Sequence, residues 1–483
     1  MAKKLNKANK TKKLVTRKQQ VVSNTQRHDM AVRKAKVQPN PVYAPLEWKE
    51  VFASSQLPPL PSALPRLIEV TISQTPDLLK PTVAQTVPVA YAVYPRGLSF
   101  VYNDGRTREL RMNCLLVAGE GAGKECITLP IKHILAEVKE TSKRDRQRLK
   151  EFNEKYNRTR SDEEKPKRPD DLDIRWLYPD ITRPRLSQAM EDAKGAFLFL
   201  KLNELEDWDK LEGKSGKSNS FSLMKIIDDE DNDFGQDRVS AQSVNADGCL
   251  RLNFIADTTE AKVKKYFRYI HGEGPLSRLC FGGIPTVEIG APLPVYGKYD
   301  SEYDEAIRPF IENLKKATGV IVCKEAQAMA DKLKAEIDHF NSQTQDRVLD
   351  SLSHRALVAA FRRACLIYSA NGFEWEPEIE YFCRWSMQVD LYLKYKLFAD
   401  DIREAAADVK LTTRGPQSLL DMIKCDEQGV FPYSEAERVY TAEGRGNDEK
   451  RIKNTLAQWK KRKFIEELPD GKYRKIKSDI NAK

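Results

Sequence analysis

Apolar residues follow two rhythms along this chain. Short continuous runs alternate with stretches of helical spacing. Residues 115–118 are a continuous run and 196–202 and 250–256 are predominantly apolar, and each predicts a buried strand. Residues 127–138 and 182–193 have helical spacing, and 177–181 predicts a further short strand. Residues 98–102 and 109–112 flank Asn103-Asp104-Gly105, a hairpin signal that leads into the first run. Strands alternating with helices predict an α/β class with a parallel sheet.

The rest of the chain divides around this core. Residues 83–93 are apolar, but Pro88 argues against one unbroken helix. Trp48 and Phe52 are candidate anchors of the proline-rich stretch before it. Residues 139–158 carry dense charge of both signs and predict a solvated helix. A loose connection runs from there to 173, and Ile174 and Trp176 mark the return to the core. Residues 303–407 read as mostly helical, with core faces at Ala356, Ala359, Phe361, Leu366 and Ile367 and at Phe382, Trp385, Met387 and Leu391. Gly415-Pro416 opens a separable end. There helices are predicted over 417–424, 434–441 and 448–463. A hairpin is predicted around Pro469-Asp470-Gly471, with Leu456, Trp459, Phe464 and Ile465 inside. Three helices and a hairpin are the winged-helix order. The predicted domains are thus a basic arm at 1–38, a lead-in at 39–110, a core at 111–298 with a charged insertion at 139–173, a helical domain at 299–411 and a winged helix at 412–483.

Charge sharpens this picture. The chain of 483 residues has a net charge of +10, and residues 1–38 hold twelve Lys/Arg against one acid, Asp29. The arm thus accounts for nearly all the excess, and it lacks the apolar pattern needed to fold. A basic arm on a neutral body suits a phosphate polymer. The third helix and hairpin of the winged helix add Lys453, Lys460, Lys461, Arg462, Lys463, Lys472 and Arg474 as candidate nucleic-acid contacts. Eight scattered cysteines without a C-x-x-C pair argue against a disulfide scaffold or zinc site. No apolar run approaches the ~20 residues of a membrane span, and no signal-type apolar core opens the chain. A cytoplasmic protein without membrane contact is expected.

The candidate chemistry sits after the first strand. Gly119, Glu120, Gly121, Ala122, Gly123, Lys124, Glu125 and Cys126 lie between that strand and a helix, the context of a phosphate-binding P-loop. Glycines let backbone N–H groups converge on phosphate oxygens, and the helix N-terminus favours the anion. Lys124 would reach the β- and γ-phosphates. The pattern departs twice: Ala118 stands for the first glycine, and Glu125 for the hydroxyl that normally binds Mg²⁺. Residues 196–202 then run into Asn203, Glu204, Leu205, Glu206 and Asp207. An apolar strand ending in acids is the second motif of such sites. Glu204 is the candidate base and, with Glu125, a candidate metal ligand; Glu206 is a reserve. Thr258 is a candidate γ-phosphate sensor. Arg278 is a candidate phosphate-reaching arginine, in its own subunit or across an interface.

These motifs resemble a family of P-loop proteins from mobile and conjugative elements of Bacteroidetes-type bacteria, whose ATPase segment also occurs behind primase-like regions. The resemblance spans about 48–402. It rests on AGEGAGKEC at 118–126, LNELED at 202–207, FGQDR at 234–238, GPLSRLCF at 274–281 and EWEPEIEYFCRWSMQVDLY at 374–392. The family pattern has a hydroxyl where Glu125 stands and usually an acid where Asn203 stands, so both departures touch the metal site.

Motifs and resemblance together predict an α/β P-loop NTPase core of RecA/AAA-like type, with a helical domain after it and a C-terminal winged helix. Its cofactors would be ATP and Mg²⁺. Its partners would be single-stranded or junction DNA, other replication or mobilisation proteins and further copies of itself. The expected function is helicase-like ATPase work in replication or transfer of a mobile genetic element. The alternative is a DNA-binding accessory factor with a weakly hydrolysing or non-hydrolysing loop.

Overall fold

A computed structural model describes residues 46–160, 162–212, 222–236, 246–267, 274–286, 290–412, 420, 422–426, 428–442 and 449–476. The basic arm at 1–38 lies outside them, as do residues 417–419 and 421 of the helix predicted at 417–424. Among the described residues no helix is long and apolar enough to cross a membrane.

A hairpin comes first. Strands β1 (Leu98–Val101) and β2 (Thr107–Glu109) pair antiparallel, with Ser99 opposite Glu109. The turn between them needs Gly105 at φ +78. The predicted second arm at 109–112 starts two residues earlier than expected. Next comes β3 (Asn113–Val117), buried along its whole length. Then come β4 (Trp176–Leu177) and β5 (Leu198–Leu202). A small hairpin, β6 (Phe234–Gln236) with β7 (Ala246–Gly248), precedes β8 (Leu252–Thr258) and β9 (Cys280–Gly283).

Five of these strands form one parallel sheet in the order β4-β5-β8-β3-β9. Strands buried on both faces read as largely apolar runs, which is why the sequence revealed β3, β5 and β8. Two buried asparagines fix the register of the central pair. Asn253 donates to the Leu110 carbonyl at 3.0 Å and accepts the Met112 N–H at 3.0 Å. Asn113 accepts the Phe254 N–H at 3.1 Å. Buried amides satisfied in this way resist slippage of β3 against β8.

Helices cover the sheet. Lys80–Thr86 and Pro88–Tyr91 are separate helices, divided where Pro88 begins the second. Gln85 of the first is buried and donates to the Phe281 and Ser386 carbonyls at 3.0 and 3.1 Å. It thus ties β9 to the long helix Glu378–Thr412. Trp48 is buried, and Phe52 stacks on Phe340 with centroids 5.7 Å apart. The 301–412 region forms four helices, Ser301–Lys316, Lys324–Thr344, Arg347–Ala370 and Glu378–Thr412. It also contains β10 (Gly319–Ile321), which the apolar pattern does not predict. β10 pairs parallel with β1.

The charged insertion is better anchored than predicted. Its helix, Ala136–Arg158, buries Val138, Ser142 and Asp145. Ser142 accepts the N–H groups of Arg175 and Trp176 at 3.0 Å each. Asp145 accepts the Asp173 N–H at 2.9 Å and pairs with Arg144 and Arg148. The connection is also held, by Arg168 on Asp192 at 2.7 Å.

The C-terminal end has its own core. Helices Tyr433–Ala442 and Glu449–Lys461 pack with a sheet of β11 (Val430–Phe431), β12 (Ile465–Glu467) and β13 (Tyr473–Lys475). The sheet is antiparallel in the order β11-β13-β12. Leu456, Trp459 and Ile465 are buried there and Phe464 is half-buried against them.

Candidate functional site

Parallel strands bring their carboxyl ends to one rim, where ligands of open α/β sheets bind. The 118–123 loop leaves β3 at that rim. Ala118 donates to the Thr258 carbonyl at 3.2 Å, so the ladder runs one residue past the strand before the loop turns away. Gly121 and Gly123 then take φ +68 and +86. A Cβ at Gly121 would meet no atom within 4 Å, so the backbone conformation, and not crowding, calls for glycine there. Gly123 caps a short 3₁₀ turn, Lys124–Ile127, that runs into the helix Thr128–Ile134. Gly119, Glu120 and Gly121 are exposed, while Ala122, Gly123 and Lys124 are half-buried. Lys124 Nζ lies 3.5 Å from the Gly119 carbonyl, folded back over the loop. Burial pushes the Cys126 thiol up to about 12, so this residue brings only its backbone to the loop at neutral pH.

The neighbouring strand ends complete the rim. Thr258 sits opposite Val117 and is buried, and its hydroxyl has no hydrogen-bond partner among the described residues. Glu204 comes two residues after β5 and is 58 % exposed, with Oε1 2.9 Å from Lys262 Nζ. Glu206 carries a buried carboxylate oxygen, Oε2, with no hydrogen-bond partner among the described residues. Lys124, Glu204 and Thr258 are therefore brought to one edge of the sheet.

Two residues of this rim escaped sequence reasoning. Asp257 stands opposite Leu116, and burial raises its pKa against the opposing pull of Lys201 and Lys124. Lys201 interrupts the buried strand β5. Its Nζ lies 3.0 Å from Asn203 Oδ1 and 3.7 Å from Asp257 Oδ2. A lysine inside an apolar run was the available signal.

The rim does not fit the expected Mg²⁺ ligation. Glu125 is exposed. Glu204 is held by Lys262, and the amide at position 203 already accepts the Lys201 ammonium. A divalent cation beside Asn203 would face that ammonium as a like charge.

Arg278 is not brought to this rim. It ends the short helix Pro275–Arg278, just before β9. In the register of β9, Cys280 faces Cys114 and Gly283 faces Val117. Arg278 therefore lies at the amino edge, on the order of 20 Å from the loop at 3.3 Å per residue. There its Nη1 donates to the Gly274 carbonyl at 2.7 Å and its Nε lies 3.5 Å from Asp228. Asp228 also pairs with Arg355 and Arg362 at 2.5 and 2.9 Å. The expectation that Arg278 reaches the phosphates of its own subunit is thus corrected: a residue preceding a parallel strand sits at the wrong end.

The candidate nucleic-acid residues are exposed, and several already hold acids. Lys460 pairs with Glu467 at 2.7 Å, Arg474 with Glu466 at 3.0 Å, Lys453 with Glu449 at 2.5 Å and Lys472 with Asp470 at 3.2 Å. Lys461, Arg462 and Lys463 are consecutive at the end of the last helix, all three exposed.

No protein-family model matches the chain, and no curated protein matches it. The family resemblance therefore rests on the sequence motifs themselves.

Proposed function

We propose that the chain is a DNA-associated P-loop protein that binds ATP at the 118–126 loop. One observation carries this reading. A loop with two positive-φ glycines joins a parallel strand to a helical segment at the carboxyl rim, with Lys124, Thr258 and Glu204 beside it. Exposed backbone N–H groups of such a loop suit phosphate oxygens. The sheet order supports it at the level of fold analogy. The strand that leads to Glu204, β5, is separated from the loop strand by β8, as a RecA/AAA-like core would have it. The C-terminal unit, with its β11-β13-β12 sheet and basic last helix, supports a winged helix that binds DNA.

Helicase-like ATPase work in replication or transfer of a mobile element is the activity that the motif resemblance suggests. The contacts of Lys262 with Glu204 and of Lys201 with Asn203 favour the second reading, an accessory factor that binds nucleotide and hydrolyses it slowly. The partners of either would be DNA and other replication or mobilisation proteins, with oligomerisation open to both.

The test is calorimetry of ATP binding to the full chain and to Lys124→Ala. The variant is expected to bind at least about tenfold more weakly, since one charge-assisted hydrogen bond is worth a decade or more. Equal affinities would sink the phosphate reading.

A further inference from the structure

We infer that Lys201 takes the place of the divalent cation, and that the rim binds a nucleoside triphosphate without a metal. This rests on the phosphate reading of the 118–126 loop.

Side chains two apart on a strand share a face, so Lys201 and Asn203 point to the same side of the sheet. Lys201 faces Ile255 in the parallel register, and Asp257 stands two residues further on. Both partners of the ammonium, Asn203 Oδ1 and Asp257 Oδ2, lie toward the carboxyl ends of their strands. The lysine stem therefore runs toward the loop rim. Its side chain is only 15 % exposed, so the positive charge is fixed in place and weakly screened.

Position 203 is where a metal-dependent site keeps the acid that turns to the cation through water. Here an amide stands there and accepts from an ammonium. The exchange of acid for amide and the appearance of a lysine two residues earlier are complementary: an acid would be consumed by Lys201, whereas an amide orients it. Lys124 and Lys262 stand on the same rim, the second against Glu204. Lys201 and Lys262 are paired with Asp257 and Glu204, so a triphosphate would compete with these carboxylates for two of the rim's three ammonium groups, and lysine serves phosphates as a point charge.

The experiment uses the full chain and the non-hydrolysable analogue adenosine 5′-(β,γ-imido)triphosphate, titrated by calorimetry in excess EDTA and in Mg²⁺. The native protein is expected to bind within about threefold under the two conditions, and Lys201→Met to lose about tenfold or more in EDTA. Lys201→Arg keeps the charge and is expected to keep metal-independent binding, which guards against a folding defect in the methionine variant. Native binding that requires Mg²⁺ overturns the inference. If that binding is abolished by Lys124→Ala and unchanged in Lys201→Met, the loop reading survives and only the role of Lys201 falls. Absence of binding under both conditions removes the loop reading and the inference together.

Discussion

Lys262 Nζ lies 2.9 Å from Glu204 Oε1, so the carboxylate proposed as the base is already engaged. The hydrogen bond to Glu204 is the main reason the Lys262 pKa is raised. The two side chains are 40 % and 58 % exposed, and an exposed pair of this kind is easily exchanged for another partner. On the phosphate reading, a bound γ-phosphate would draw Lys262 away and free Glu204. Glu204→Gln is therefore expected to abolish whatever hydrolysis occurs while leaving nucleotide affinity within about twofold. Phosphate release and calorimetry on the same preparation check this. Unchanged turnover would remove Glu204 from the catalytic role.

Arg278 belongs to the opposite edge of the sheet, in a cluster around Asp228. Arg278→Ala is expected to leave the affinity of the isolated chain for ATP unchanged. Loss of that affinity would mean that the amino edge and the loop communicate. A fall in turnover that depends on protein concentration would instead restore the arginine as a group acting across an interface.

The contrast between these two residues shows what the sequence disclosed. The main sheet strands and the glycine loop were readable because a strand buried on both faces is apolar along most of its length and ends abruptly in acids or glycine. Glu204 and Thr258 were readable because they stand at the ends of such runs. Arg278 was misplaced although the signal was present, since a residue before a parallel strand cannot share a rim with residues after one. Lys201 drew no role from the sequence, because one lysine in an otherwise apolar run carries no motif. β10 left no trace in the pattern, because three largely exposed residues, Gly319–Ile321, carry no alternation. The anchoring of the charged insertion was hidden because Ser142 and Asp145 are polar, and polar residues signal burial only once their partners are known.

The long helix Glu378–Thr412 depends on a buried ion pair for its seat on β9. Lys394 Nζ lies 2.8 Å from Asp390 Oδ2, and both side chains are almost wholly buried. Asp390 Oδ1 also accepts the Phe281 N–H at 2.7 Å. Removing one partner strands the other charge and an unsatisfied N–H in the core. Asp390→Ala is therefore expected to destabilise the fold by about 3–5 kcal/mol. Denaturant unfolding, monitored by the chain's tryptophan fluorescence, to which the buried Trp385 on the same helix contributes, measures it. A loss below about 1 kcal/mol, the scale of an exposed pair, would show that water reaches the site.

The basic residues of the C-terminal unit are expected to act unequally. Lys460 of the last helix is held by Glu467 of β12, and Arg474 by Glu466 across the hairpin, so a phosphate must displace a carboxylate to reach either. Lys461, Arg462 and Lys463 have no ion pair with any described residue and lie together where the helix ends and β12 begins. Alanine at these three positions should weaken DNA binding more than alanine at Lys460 and Arg474. It should also flatten the salt dependence, by about 0.9 in logarithmic slope for each duplex phosphate no longer neutralised. Residues 1–38 carry charge without an apolar pattern, so their removal should lower affinity for every DNA alike. The C-terminal unit instead presents side chains from a packed core of Leu456, Trp459 and Ile465, and any preference for a sequence or junction should reside there. Binding of the full chain, the 39–483 truncation and the two alanine variants should be measured across a salt series on duplex, single-stranded and junction DNA. If the Lys461/Arg462/Lys463 variant matches the native chain on every DNA while the truncation binds none, the arm alone contacts DNA. The exposed basic helix end must then be assigned to a protein partner with an acidic surface.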